Sequence, residues 1–447
     1  MSKPNLVFIF ADQWRLNALG YAGTPEVRTP HLDCLAGQSV NLVNAVSGWP
    51  VCAPYRASLL TGQYPLTHGV FVNDVPIGSN AVGLGQAFAD GGYDTAYIGK
   101  WHVDGRGRSA YIPPERRLGF DYWKVLECTH DYQHSFYYAH DSDIKQQWNG
   151  YDAMAQTRDA QEYIRQHDSS HPFMLVLSWG PPHDPYPTAP AEYAALYDPQ
   201  KLTLPPNVPP QMEAQARQWL AGYYAHCTAL DQCVGDLVAT LDENGLAENT
   251  LFIFTSDHGD MLGSQGVHHK QRPWDESIRV PFLLRYPAQF GVSRRDVPVL
   301  INSIDIMPTL LGLCDLPIPA TVQGRDFSAA LEGACDPSGG AALLACFQPF
   351  GQYSRQKGGR EFRGVRTARY SYVRDLCGPW LLYDNKTDPF QQCNLVNQPE
   401  YAAIQRHLED ELNRKLREQH DTFECGEAYI KKWGYQVDET GTVPYIP

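Results

Sequence analysis

The sequence contains no apolar run approaching the ~20 residues that a membrane-spanning helix needs. Its opening, Met1-Ser2-Lys3-Pro4-Asn5, is followed by the short run Leu6-Val7-Phe8-Ile9-Phe10. That run is too short for a signal-peptide core, has no small-residue cleavage site after it, and reads as a first buried strand. The chain is therefore expected in the cytoplasm as given, or in the periplasm or outside the cell if a leader precedes it. An excess of basic residues is also lacking: 36 Lys+Arg stand against 50 Asp+Glu, a net charge of −14. Neither a nucleic acid nor an anionic membrane surface attracts such a chain. A small anionic substrate is compatible with it, provided positive charge is gathered locally. The eleven cysteines form no C-x-x-C pair and are odd in number, which fits scattered reduced thiols. Of these, Cys34, Cys227, Cys233 and Cys314 sit in apolar, helix-like contexts and read as core fillers. No internal repeat is evident. Apolar residues make up 43% of the chain and charged residues 19%, which excludes global disorder.

What is present is an alternation of apolar strands and helical patterns. Leu6 to Ala11, Asp94 to Gly99, Phe173 to Trp179 and Leu251 to Ser256 are apolar almost throughout, as strands buried on both faces should be. Between them Gly83 to Asp90, Ala153 to Gln166 and about Gln211 to Asn244 read as helices, the last with Gly245 as its C-cap. This predicts a mostly parallel, doubly wound α/β sheet flanked by helices. Tyr186 to Pro210 and Gly333 to Gly340 read as irregular chain. Beyond them Phe362 to Arg366, Tyr370 to Asp375 and Trp380 to Asn385 look like short antiparallel strands, followed by a helix at about Glu400 to Glu418. The expected division is a catalytic α/β domain over 1–335 and a smaller α+β domain over 340–447.

In an open α/β sheet, ligands bind outside the carboxyl ends of the strands. Ionisable residues follow each of the four apolar strands: Asp12, beside Gln13; Lys100 and His102, on either side of Trp101; His183 and Asp184; and Asp257, His258 and Asp260. Core packing gives no reason for this placement, so an enzyme is expected.

The most specific motif is Cys52-Ala53-Pro54-Tyr55-Arg56, continuing to Thr61-Gly62. With Gly99-Lys100-Trp101-His102, Pro182-His183, Ser256-Asp257-His258-Gly259, and Leu382-Tyr383-Asp384 followed by Asp388-Pro389 and Asn394-Leu395, the chain resembles the sulfatase family. The resemblance is to formylglycine-dependent, arylsulfatase-like members of the alkaline phosphatase superfamily, and it extends from Asn5 to about Leu416. It implies that a maturation enzyme oxidises Cys52 to formylglycine, whose hydrate carries two hydroxyls. One attacks sulfur; deprotonation of the other expels the enzyme-bound sulfate, an exit that a thiol lacks.

The resemblance also implies a divalent metal held by Asp12, Gln13, Asp257 and His258 together with residue 52, Cys52 in its converted form. Many members have aspartate where Gln13 stands and asparagine where His258 stands. The Asp-Gln and Asp-His pairs look more like phosphonate monoester hydrolases and choline-sulfatase-like members. Calcium leads by family frequency, with Mn²⁺ favoured somewhat by nitrogen ligation and Mg²⁺ as a further alternative. Arg56 and Lys100 would hold the diol and the sulfate. His102 would be the base for hemiacetal collapse, His183 the acid for the leaving alkoxide, and Lys270 a sulfate ligand.

Substrate contacts are sought among rim residues: Trp14, Arg15, Asn73, Asp74, Arg106, Arg108, His130, His134 and Arg272, with Arg15, Asn73, His130 and Arg272 foremost. The expected substrate is a small anionic sulfate ester, of a sugar or an aryl alcohol. A phosphonate monoesterase or phosphodiesterase of the same superfamily is the alternative. A sulfated-glycan-binding protein that keeps Cys52 unmodified is a third reading, which mass spectrometry of the peptide bearing Cys52 discriminates.

Overall fold

The structure, a computed structural model, describes residues 3–78, 80–168 and 170–446. The outer limits of the two expected domains, Met1, Ser2 and Pro447, lie outside the described residues. Ten strands form the main sheet: β1 (Asn5–Asp12), β2 (Val40–Leu42), β3 (Asp94–Lys100), β4 (Tyr122–Leu126), β5 (Phe136–Ala139), β6 (Lys145–Gln147), β7 (Phe173–Pro182), β8 (Thr250–Ser256), β9 (Phe282–Arg285) and β10 (Arg295–Val297). Their order is β10-β2-β9-β8-β1-β7-β3-β4-β5-β6. The centre, β8-β1-β7-β3-β4, is parallel throughout, and antiparallel pairs appear only toward the edges. The four strands expected from apolar runs are all in this centre. The shorter edge strands carry little apolar pattern of their own. They pair because a central strand offers an open ladder of N–H and C=O groups.

The central strands are buried on both faces because helices cover both. Along β1, Leu6, Phe8 and Phe10 point into one apolar cluster and Val7, Ile9 and Ala11 into another, the period-2 alternation of a strand. On the first face lies the fully buried helix Cys52–Thr61, packed against the helix Ser303–Leu313. On the second face lie the helices Asp152–Gln166 and Glu213–Glu243. The long helix ends at Asn244, and Gly245 follows with a left-handed φ of 68°. Glycine adopts that backbone without strain and ends the helix.

A second sheet, β11 (Ala341–Cys346), β12 (Phe362–Thr367), β13 (Tyr370–Asp375) and β14 (Gly378–Asp384), is antiparallel and is covered by the helix Ala402–Glu418. Three of its strands match the expected ones; β11 was not foreseen. Leu343, Val365, Tyr372 and Leu382 join the same apolar cluster as Phe8 and Phe10. One expectation is corrected: Cys34 is exposed. On the helix Pro30–Gly37 the inward positions are Leu32, Leu35 and Ala36, which turns residue 34 to solvent. Among the described residues no helix is long and apolar enough to cross a membrane.

Candidate active site

Parallel pairing brings the carboxyl ends of β8, β1, β7 and β3 to one edge. Asp12 is level with Pro182 of β7, Ala11 with Ser256 of β8, and Gly99 of β3 with Ser178 of β7. The residues that follow these strands therefore converge. Several of them leave the strand with a left-handed backbone: φ is 74° at Gln13 and 62° at His102. Side chains other than glycine occupy that region at a cost of order 1–3 kcal/mol, and such costs gather at functional sites. Gly99 is required by contact: a Cβ there would lie 2.1 Å from the carbonyl oxygen of Ser178.

Cys52 is the first residue of its helix, preceded by the extended Val51. Pro54 is tolerated in this first turn because its missing N–H would have no intrahelical partner. The free N–H of Ala53 is taken by Asn73 Oδ1 at 3.1 Å. Four residues on, Arg56 shares the helix face of Cys52. Its Nη1 donates to Ser178 Oγ at 2.7 Å and to the Lys100 carbonyl at 3.0 Å. Its Nη2 pairs with Asp12 at 3.3 Å and with Asp257 at 3.1 Å. Lys100 Nζ pairs with Asp12 Oδ2 at 2.6 Å.

The outer oxygens of the two carboxylates are thus held by cations, and their Oδ1 atoms face a common point. His258 Nε2 lies 3.5 Å from Asp12 Oδ1, 3.6 Å from Asp257 Oδ1 and 3.3 Å from Cys52 Sγ. All four residues are buried. His258 Nδ1 lies 2.9 Å from the Gly259 carbonyl, so it carries the proton and leaves the Nε2 lone pair aimed inward. This donor set, two carboxylates and an imidazole with a fixed tautomer, fits a divalent cation. Gln13 stands beside it. Its N–H donates to Asp257 Oδ1 at 2.9 Å, its Nε2 to Asp260 at 2.6 Å, and its Oε1 accepts from Lys270 at 2.9 Å.

Lys270 Nζ also lies 3.1 Å from Cys52 Sγ and 2.6 Å from His183 Nε2. His183 Nδ1 contacts the Asp184 carbonyl at 2.8 Å, and its ring stacks on His130 with centroids 4.6 Å apart. His102 is buried, and neither ring nitrogen makes a hydrogen bond; its nearest carboxylate oxygen is Asp74 Oδ1, 3.5 Å from Nε2.

The electrostatics are those of an anion site. Burial opposes ionisation of Cys52, yet Lys270, Lys100 and His258 hold its thiol well below the usual range. The helix N-terminus adds to their effect. Asp12 is pulled below the ordinary carboxylate range: burial and Cys52 oppose this, and Lys100, His183 and Lys270 outweigh them. Burial and the Lys270 ammonium push His183 down. For His102 burial works against charge, but Cys128, Asp74 and Cys52 push it up to about 9.

The expected substrate contacts divide. His130 lines the site through its stack on His183. Asn73 holds the N-terminus of the Cys52 helix. Arg15 is buried, with Nη1 3.5 Å from the Asp260 carbonyl, and Trp14 is buried with its indole N–H on the Ala18 carbonyl. Arg106 pairs with Asp104, Arg108 with Asp74, and His134 stands exposed beside Asp131. Arg272 is buried against the Tyr353 ring. Sequence reasoning passed over Ser178, which positions Arg56. A lone polar residue within an apolar strand was its signal.

Comparison with known proteins places this geometry. The family model described as Sulfatase matches residues 4–316, and that of the N-sulphoglucosamine sulphohydrolase C-terminal region matches residues 263–419. The chain is 47% identical to an ulvan-active sulfatase of Formosa agariphila, over 99% of this chain and 87% of that protein. It is 30% identical to an endo-4-O-sulfatase of Bacteroides thetaiotaomicron, over 93% of this chain and 92% of that one. The crystal structure of Bacteroides fragilis yidJ superposes with a TM-score of 0.85 at 31% identity, covering 96% of this chain and 98% of that one. With its motifs gathered at one edge of an alkaline-phosphatase-like sheet, the chain belongs to the sulfatase family of sulfuric ester hydrolases.

Proposed function

We propose that the protein hydrolyses a sulfate ester of a carbohydrate, through a formylglycine that a maturation enzyme makes from Cys52. The observation that carries this reading is the setting of Cys52. It opens a buried helix, with Lys270 at 3.1 Å; of the two carboxylates that face it, Arg56 reaches both and Lys100 reaches Asp12. The carbohydrate part is supported by the relatives, one named for ulvan and one for endo-4-O-sulfatase action.

Asp12, Asp257 and His258 would hold one divalent cation, with Gln13 offering a further hard oxygen; calcium suits the carboxylates, and manganese the imidazole. Bound there, the cation supplies Lewis-acid chemistry, lowering the cost of negative charge on residue 52 and on the sulfate. The remaining work falls to the chain. Lys100, Arg56 and Lys270 bring positive charge to the ester's anionic oxygens, where burial strengthens its effect. A hydroxyl of residue 52 gives its proton to the Asp257 carboxylate, which burial and Asp12 make more basic; its oxygen attacks sulfur as the S–O bond to the sugar breaks. The departing alkoxide takes a proton from the His183–Lys270 pair, which lies 2.6 Å apart. The other hydroxyl then gives its proton to His102, the C–O bond to sulfate breaks, and the aldehyde returns to be rehydrated. Conversion of Cys52 removes one of the groups that push His102 up, which brings it closer to a base at neutral pH.

The test is Cys52→Ala, together with mass spectrometry of the peptide bearing residue 52. The variant is expected to fold and to lose all sulfate ester turnover, and the wild-type peptide to carry an aldehyde. A variant that keeps more than a trace of activity overturns the mechanism. Faster turnover of a phosphonate monoester than of any sulfate ester by the wild type would overturn the choice of substrate.

A further inference from the structure

Arg272, a buried cation near the site, has no carboxylate within ion-pair distance among the described residues. Arg272 follows Lys270 by two residues, so their Cα atoms are at most about 7 Å apart. It is 6% exposed. Its guanidinium stacks on the Tyr353 ring, with the central carbon 3.9 Å from the ring centroid. Nη2 reaches only the Gln352 carbonyl, at 3.4 Å, and the buried Nε has no partner. Burial pushes its pKa down, and the groups opposing this are Tyr353 and Cys346, not a carboxylate. Arg56, Arg363 and Arg366 are equally buried, and each pairs with an aspartate. An arginine taken out of water with no acid beside it is costly. Its planar fork, steadied on an aromatic face with donors unused, matches a bidentate oxyanion.

We propose that Arg272, on its Tyr353 platform, is a second anion subsite. It receives a carboxylate or a further sulfate on the sugar adjoining the one that carries the scissile ester. The proposal rests on the sulfatase reading above. It extends that reading from one sulfate to an oligosaccharide with at least two anionic groups. The subsite also adds positive charge by which a chain of net charge −14 attracts such a substrate, two residues along the chain from Lys270.

The test compares Arg272→Gln with wild type on three sulfated disaccharides of the same linkage. Their neighbouring sugar bears a carboxylate, a second sulfate or neither. The readout is the ratio of kcat/KM for each charged substrate to that for the neutral-neighbour one. In Arg272→Gln this ratio is expected to fall on the order of 10- to 100-fold for one or both charged substrates. The arm that falls identifies the anion. Arg272→Lys keeps the charge but loses the fork and is expected to show a smaller fall in the same arm. Thermal melting establishes that each variant is folded. The same ratios are read as equilibrium affinities in the Cys52→Ala background, where no turnover is needed. Ratios unchanged in both variants overturn the subsite. Absence of any sulfate ester turnover by the wild type overturns the sulfatase reading instead, and the binding ratios still decide the subsite.

Discussion

Replacing His183 by alanine separates the proton-transfer roles assigned to the site. A sugar alkoxide is a poor leaving group and needs a proton as the S–O bond breaks, whereas a nitrophenolate spreads its charge into the ring. Removing a general acid costs ~10²–10⁴ in rate for the poor leaving group, or about 3–5 kcal/mol at 1.36 kcal/mol per tenfold. The structure moves the expectation to the lower end. Lys270 Nζ lies 2.6 Å from His183 Nε2, so an ammonium remains beside the departing oxygen when the imidazole is gone. We expect His183→Ala to lose about 10² in kcat/KM on a sugar sulfate and less than tenfold on nitrophenyl sulfate. His102→Ala should depress both alike, because collapse of the hemiacetal follows departure of the alcohol. The assay is kcat/KM for both substrates with wild type and the two variants. Equal losses for His183→Ala on the two leaving groups would refute the acid role and leave His183 as a binding residue.

Elemental analysis should find one divalent metal per chain, lost with activity on chelation and restored by calcium, manganese or magnesium in an order that identifies the native ion. Two metals per chain would point to phosphatase-type chemistry instead. Asp152 supplies a pH prediction away from the site. Burial pushes its carboxyl up to about 8, against hydrogen bonds from Ser135 and the Ala153 N–H. The folded protein therefore keeps this proton while the unfolded chain releases it near pH 4, so this group's contribution to stability is lost as pH rises from about 4 to about 8. Asp152→Asn should flatten that decline in thermal melts across the window; parallel declines in the two proteins would refute it.

The sequence alone determined the parts of this protein whose physics is local. Apolar runs of six or seven residues can be buried on both faces only at the centre of a sheet, so β1, β3, β7 and β8 were legible from side chains alone. So was the frame from Cys52 to Gly62, because a proline in a first turn and a glycine beyond a last one are punctuation that needs no distant partner. Polar residues after apolar strands marked the rim, since parallel strands put their carboxyl ends on one side. Tertiary structure decided what depends on atoms far apart in the chain. The edge strands take their pairing from neighbours, and β11, an apolar run of alanine, leucine and cysteine without β-branched residues, reads as readily as helix until its partner β12 is seen. Ser178 becomes a ligand of Arg56 only because β7 lies beside β3. Asn73 turns out to cap the Cys52 helix, and Arg15 is buried. The missing counter-ion of Arg272 appears only after folding, because a sequence shows which charges exist and not which of them meet.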